Sequence, residues 1–187
     1  MTDRAILPVP PAGPALVEAV AALLLEAFPQ AYAPLSRARE EVEDCLAEGR
    51  IARAAMEGDR VVGFVGARPR YGTTGWELHP LVVGSCDRRK GIGSALVAAI
   101  EDDARARGGV TMYLGTDDET GRTSLSGCDL YDRTWDRIRR IRNPGGHPFA
   151  FYQAVGYAIV GVIPDANGLG KPDILMAKRL LTTDVPQ

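Results

Sequence analysis

The sequence predicts an α/β chain of the α+β kind: a central, mixed, mostly antiparallel twisted sheet flanked by helices, with one parallel strand pair splayed into a cleft. Two helical patterns open the chain. Alternating β-formers punctuated by turn residues follow. A strand, a basic glycine-rich loop, a helix and a second strand then run in succession between Trp76 and Leu114.

Taken in order, Ala5 to Val9 is a short first strand or a tail, limited by neighbouring prolines. Pro14 suits a first helical turn, and Leu16, Val20, Leu23, Leu24, Ala27 and Phe28 keep helical spacing up to Pro29. A second helix is expected from Ser36, as N-cap, to about Glu48, with Ala38, Val42, Cys45 and Leu46 inward and Gly49 stopping it. Ile51 to Met56 and Arg60 to Arg68 read as paired strands around a Gly58-Asp59 turn. Tyr71 to Gly75 is a second turn, and Trp76 to Val83 the next strand. Gly91 and Gly93 open a helix with Ile92, Leu96, Ala99 and Ile100 on one face, ending at Gly108-Gly109.

Val110 to Leu114 is the next strand, parallel to Leu78–Val83 through a right-handed crossover. The connection from Thr116 to His147 is long enough to suggest a functional loop. A helix is expected in it from Asp129 to Arg142, with Tyr131, Trp135, Ile138 and Ile141 as its stripe and five arginines mostly off it. Pro148 to Val155 is a short helix closed by Gly156. Tyr157 to Val162 and Ile174 to Ala177 are the last strands, and 182–187 a flexible tail.

A length of 187 residues suits one domain, 1–187, with a sizeable core. The chain is 45% hydrophobic and 25% charged, which is globular, and its formal charge of −2 gives no case for nucleic acid or a membrane surface. The apolar N-terminal segment is broken by prolines, with Asp3 where a signal peptide is basic, and no run approaches a membrane span. Cys45, Cys86 and Cys128 lack disulfide or metal spacing, and only His79 and His147 could join a metal set, so reduced thiols, no metal and a cytoplasmic location are expected.

The chemistry concentrates at the strand–loop–helix junction. The first amides of a helix lack partners within it, and the helix dipole adds positive character there. Gly91 and Gly93 let a ligand approach the backbone, and Arg88, Arg89 and Lys90 supply full charges. A phosphate or diphosphate is the natural ligand. The loop is not a Walker-type P-loop, because Lys90 precedes the glycines. Nor is it a dinucleotide fingerprint, because Leu96 stands where the third small residue belongs.

Arg88-Arg89-Lys90-Gly91-Ile92-Gly93 does fit Arg/Gln-x-x-Gly-x-Gly/Ala. With LHPLVV before it and SALVAAIEDDARARG after it, the segment resembles the acyl-CoA-binding motif of the GNAT superfamily N-acetyltransferases. The likeness spans roughly Arg60 to Arg179. It implies acetyl-CoA as cosubstrate, held by the loop from Arg88 to Ser94 (Arg88, Arg89, Lys90, Gly91, Ile92, Gly93 and Ser94) and by the open backbone of Leu81, Val82 and Val83. The Val83 amide is a candidate oxyanion donor.

The segment Phe149 to Tyr157 resembles the family's closing motif and puts Tyr152 at the position of the acid that protonates the leaving thiolate. The motif's asparagine falls on Gly145 and its alanine on Pro148, while Asn143 lies two residues early. Strand alternation sets Glu77, His79 and Leu81 on one face, so Glu77 or His79, through water, is the candidate base. Asp117, Asp118 and Glu119 are candidates to attract a cationic amine. Cys86 lies in the loop without a nearby histidine, which favours direct transfer over a covalent acyl-enzyme.

The expected reaction moves an acetyl group to a primary amine of a small molecule, with the 116–147 insertion shaping the acceptor site. The stretch HPFAFYQAVGYAIVGVIPDANGLGKPDILMAKRL, from His147 to Leu180, resembles the aminoglycoside 6′-N-acetyltransferases within the family. A protein N-acetyltransferase and a non-catalytic CoA-binding module are the alternatives, and a homodimer through the C-terminal strands is compatible with the pattern.

Overall fold

The computed structural model describes residues 4–9 and 13–181; the tail expected at 182–187 lies outside them. Seven strands form one mixed sheet in the order β1-β2-β3-β4-β5-β7-β6, with β4 and β5 its parallel pair. They are β1 (Arg4–Pro8), β2 (Ile51–Glu57), β3 (Arg60–Tyr71), β4 (Gly75–Val83), β5 (Thr111–Asp117), β6 (Ala158–Ile163) and β7 (Asp173–Arg179). The chain divides into two compact units. The first runs to Met112 and takes up the chain again at Leu180; the second is Tyr113–Arg179.

In the first unit α1 (Pro14–Ala27) and α3 (Leu35–Cys45) are joined by a one-turn helix, α2 (Pro29–Tyr32), which the sequence pattern did not announce. Apolar spacing explains their placement. Val20 and Leu24 of α1 and Ala38, Val42 and Cys45 of α3 are buried with Phe64 and its cross-strand partner Val82. Ser36 is not the N-cap. Pro34 takes that place without a side-chain bond, and Ser36 lies exposed within the first turn. The hairpin turn at Gly58-Asp59 pairs Glu57 with Arg60, and β3 is buried from Val61 to Ala67. Gly63 to Val65 of β3 pair with Val83 to Leu81 of β4.

After β4 a single 3₁₀ turn, Ser85–Asp87, leads to α4 (Ile92–Ala106). Ile92, Leu96, Val97 and Ile100 form its buried face, close to the expected stripe. Among the described residues no helix is long and apolar enough to cross a membrane.

The second unit corrects the reading of the long connection. The helix within residues 116–147 is α5 (Thr134–Arg139), not Asp129 to Arg142, and the expected stripe is not an inner face: Tyr131 and Trp135 are 74% and 65% exposed. Local side-chain bonds outcompete the helix at both ends. Asp129 accepts from the Tyr131 amide at 3.0 Å, Arg133 has φ +54°, and Ser124 pairs with Arg142 through its own backbone and hydroxyl. Leu125 and Leu130 are the buried hydrophobic residues of this segment, beside the buried polar Thr116, Asp118, Thr123 and His147. After it come α6 (Phe149–Ala154) and the β6–β7 hairpin, whose buried positions are Ile174 and Met176.

Candidate active site

The glycine-rich loop folds as the sequence requires. Gly91 caps α4 at φ +81°, a left-handed conformation that costs glycine little, and a side chain there would meet nothing within 4 Å. The first intrahelical bond runs from the Ala95 amide to the Gly91 carbonyl at 3.0 Å, and no side chain caps the helix. The amides of Ile92, Gly93 and Ser94 therefore remain available as donors, the geometry that holds phosphate. The Ile92 side chain is buried, so only its backbone can serve a ligand.

The three cations of the loop are not equivalent. Arg88 donates from Nε to the Val83 carbonyl at 3.2 Å, which ties it to the end of β4. Lys90 lies 2.8 Å from the buried carboxylate of Asp87. Arg89, at φ +61°, has no ion-pair partner among the described residues. Cys86 is exposed, and its sulfur accepts from the Ser85 hydroxyl at 3.9 Å.

On β4, alternation holds as expected. Trp76, Leu78, Pro80 and Val82 are buried, while Glu77, His79, Leu81 and Val83 are not. Glu77 is bound rather than free: its Oε2 accepts from Nε of Arg68 and of Arg70, each at 2.7 Å. Burial pushes its carboxyl up, but the two arginines outweigh that and hold it below the usual carboxylate range. His79 is half exposed, with its Nε2 3.3 Å from the Tyr32 hydroxyl and 3.5 Å from Glu41 Oε1. Tyr32 and Glu41 are neighbours the sequence reading did not name. Burial raises the Tyr32 phenol strongly, so it stays a donor. Glu41, Asp44, Cys45 and Arg68 gather beside His79 without enclosing a water-sized cavity. Burial pushes the Cys45 thiol up to about 12, which fits packing and not nucleophilic chemistry.

In the second unit Tyr152 sits on α6, half-buried between Phe151 and Tyr157, with ring centroids at 5.1 and 5.8 Å. Burial pushes its phenol up to about 12, so it holds its proton throughout the neutral range. Asn143 is occupied locally: its side chain accepts from the His147 amide at 2.5 Å and donates to the His147 carbonyl at 2.9 Å. The family's asparagine position, Gly145, sits so close to Arg122 that a Cβ would lie 2.7 Å from its Cα. Asp118 is a turn anchor. Fully buried, it accepts from the amides of Arg122 at 2.7 Å and Thr123 at 2.8 Å. Asp117 accepts from the Asn167 amide group.

His147 was missed as a site residue, although a histidine directly before the Pro148 helix start was the available signal. It is 2% exposed, its Nδ1 accepts from the Phe149 amide at 3.2 Å, and its Nε2 lies 2.9 Å from the Asp117 carbonyl. Acceptance at Nδ1 leaves Nε2 as the donor to Asp117, so the ring joins the first amide of the helix that carries Tyr152 to the end of β5. His147→Leu should leave the Phe149 amide and the Asp117 carbonyl unmatched, at about 1–3 kcal/mol for each such group. The expected thermal midpoint falls by several degrees in differential scanning calorimetry, at about 2–4 °C per kcal/mol. An unchanged midpoint would remove His147 from this role.

The model of the acetyltransferase (GNAT) family matches residues 17–133. A crystal structure of an aminoglycoside 6′-N-acetyltransferase complexed with coenzyme A superposes with TM-score 0.93 at 46% identity, covering 97% of this chain and 99% of that one. The aminoglycoside 6′-N-acetyltransferase from Enterococcus faecium gives TM-score 0.91 at 46% identity, with 97% and 99% coverage. An aminoglycoside 6′-acetyltransferase type Ii gives 0.77 at 41% identity, covering 96% and 99%. The search of curated proteins found no match. With the family pattern matched over more than half its length and whole-chain relatives above 40% identity, the chain belongs to the acetyltransferase (GNAT) family.

Proposed function

We propose that this acetyltransferase transfers the acetyl group of acetyl-CoA directly to a primary amine of a small molecule, with an aminoglycoside as the acceptor. The observation that carries the acceptor class is 46% identity over 97% of the chain to an aminoglycoside 6′-N-acetyltransferase complexed with coenzyme A. Available amides at Ile92 to Ser94 and the basic turn before them fit the coenzyme's diphosphate, supporting acetyl-CoA as the donor.

In this reading the loop from Arg88 to Ser94 and the backbone of Leu81 to Val83 hold the coenzyme, and the Val83 amide stabilises negative charge on the thioester oxygen. The amine's lone pair forms the new C–N bond as the C–S bond breaks. Tyr152 gives its proton to the departing sulfur, and its raised phenol suits an acid. His79 takes the ammonium proton through water, with Tyr32 and Glu41 orienting its ring. Glu77, held ionised and already neutralised by Arg68 and Arg70, is the lesser of the two candidates for the base. The 116–147 segment shapes the acceptor side. We further propose a cytoplasmic enzyme that works as a homodimer without metal, nucleic acid or membrane.

The test is thiol release from acetyl-CoA across aminoglycosides, small polyamines and peptide N-termini. Turnover confined to aminoglycosides is expected. Turnover only with peptides would replace the acceptor, and coenzyme binding without turnover on any amine would leave a binding module.

A further inference from the structure

Asp87 stands out because it places a full negative charge inside the loop that receives an anion. Its carboxylate is 2% exposed. Arg60 Nη1 reaches Oδ2 at 2.7 Å, and Lys90 Nζ reaches Oδ1 at 2.8 Å. The chain of charges continues outward: Arg60 bonds Glu57 at 2.5 Å, and Glu57 bonds Arg4 at 3.1 Å. Five side chains from β1, β2, β3 and the loop thus alternate in sign, three cations with two anions.

Asp87 holds both ends of the loop's reversal, one through its backbone amide and the other through its carboxylate. Asp87 closes the 3₁₀ turn, with its amide donating to the Gly84 carbonyl at 2.8 Å. Three residues later Lys90 folds back onto the carboxylate. Between them Arg88 is extended, at φ −65° and ψ 158°, and Arg89 is left-handed at φ +61°. That sequence of torsions delivers Gly91 at φ +81° and aims the amides of Ile92 to Ser94. Left-handed conformations at a non-glycine residue cost energy that the surroundings must offset, and Arg89 lies between Asp87 and Lys90, the two ends of the innermost ion pair.

We infer that Asp87, locked by Arg60 and Lys90, is a positioning residue that strengthens coenzyme binding by fixing the diphosphate loop, even though its own charge repels the ligand. This rests on the reading of residues 88–94 as the diphosphate loop. It makes a prediction of sign. If only charge mattered, neutralising Asp87 would tighten binding of an anion. If position dominates, neutralising it weakens binding, because Lys90 is released and the turn loses its anchor.

The experiment compares wild type with Asp87→Asn. Coenzyme A affinity is read by titration calorimetry, and kcat/KM is measured for acetyl-CoA and for S-acetylpantetheine, which lacks the diphosphate. Wild type is expected to bind coenzyme A and to prefer acetyl-CoA. Asp87→Asn should bind coenzyme A about tenfold to a hundredfold more weakly, on the scale of a lost charged hydrogen bond, and its preference for acetyl-CoA over S-acetylpantetheine should shrink in proportion. A general loss of structure would lower both substrates together and leave the ratio unchanged. Glu57→Gln, one step outward along the chain, should shift the ratio in the same direction by about threefold, and it decides the matter if Asp87→Asn does not fold. Unchanged or tighter coenzyme binding in the variant that folds, or an unchanged ratio, overturns the inference and leaves the loop assignment standing. Failure of wild type to bind coenzyme A removes both.

Discussion

Gly91→Asp will weaken coenzyme A binding by about a hundredfold to a thousandfold. The size follows from Coulomb's law: two like charges about 4 Å apart near a protein surface repel by about 4 kcal/mol. Folding does not confound the result. A Cβ at Gly91 meets nothing within 4 Å, and Asp and Asn are the side chains that best tolerate the left-handed conformation found there. Gly91→Asn therefore serves as the neutral control of the same shape, with an expected loss of about tenfold or less, the cost of left-handed strain. Calorimetric titration of both variants checks this. Equal affinities for the aspartate and asparagine variants would mean that no anion sits at this turn.

Tyr152→Phe should lower kcat by about tenfold to a thousandfold, the range of a single general acid, with little change in KM for acetyl-CoA. The substitution removes one oxygen and keeps the ring packed against Phe151 and Tyr157. Because burial raises the phenol to about 12, the wild-type acid stays protonated across the working range. The sign is clear: a raised acid loses its proton only above its own pKa, so kcat should show no alkaline fall from this group below about pH 10. Steady-state kinetics against pH tests both points. A full-rate phenylalanine variant would remove Tyr152 from the acid role.

The parts legible in the sequence were those where local and tertiary demands agree. Ile92, Leu96 and Ile100 repeat at helical spacing and are the residues buried under α4. Gly58-Asp59 makes a hairpin because the flanking residues form strands and the turn accepts a positive φ. Trp76 to Val83 alternates, and burial alternates with it. The insertion was illegible because its apolar spacing from Tyr131 to Ile141 imitates a helix. Asp129 and Ser124, 18 residues from its partner Arg142, form side-chain turns that spacing cannot register.

The same limit applied to the site. Residue type and strand face nominated Glu77 and His79. The arginines that clasp Glu77 and the Tyr32 and Glu41 groups beside His79 come from other elements, and no local pattern connects them. Asp87 reads as an ordinary loop acid until Arg60, 27 residues earlier, is found against it. His147 reads as a loop residue until its ring is found bonded to the Phe149 amide and near the Asp117 carbonyl. Asn143 shows the reverse: a residue near a family motif proves to be consumed by the turn before α6.

A crystal structure grown with excess acetyl-CoA tests the central claim most directly. The account predicts the diphosphate oxygens within hydrogen-bond distance of the main-chain nitrogens between Arg88 and Ser94, with the thioester running along Leu81 to Val83. A coenzyme bound elsewhere, with the protein's own side chains against those nitrogens, would contradict it.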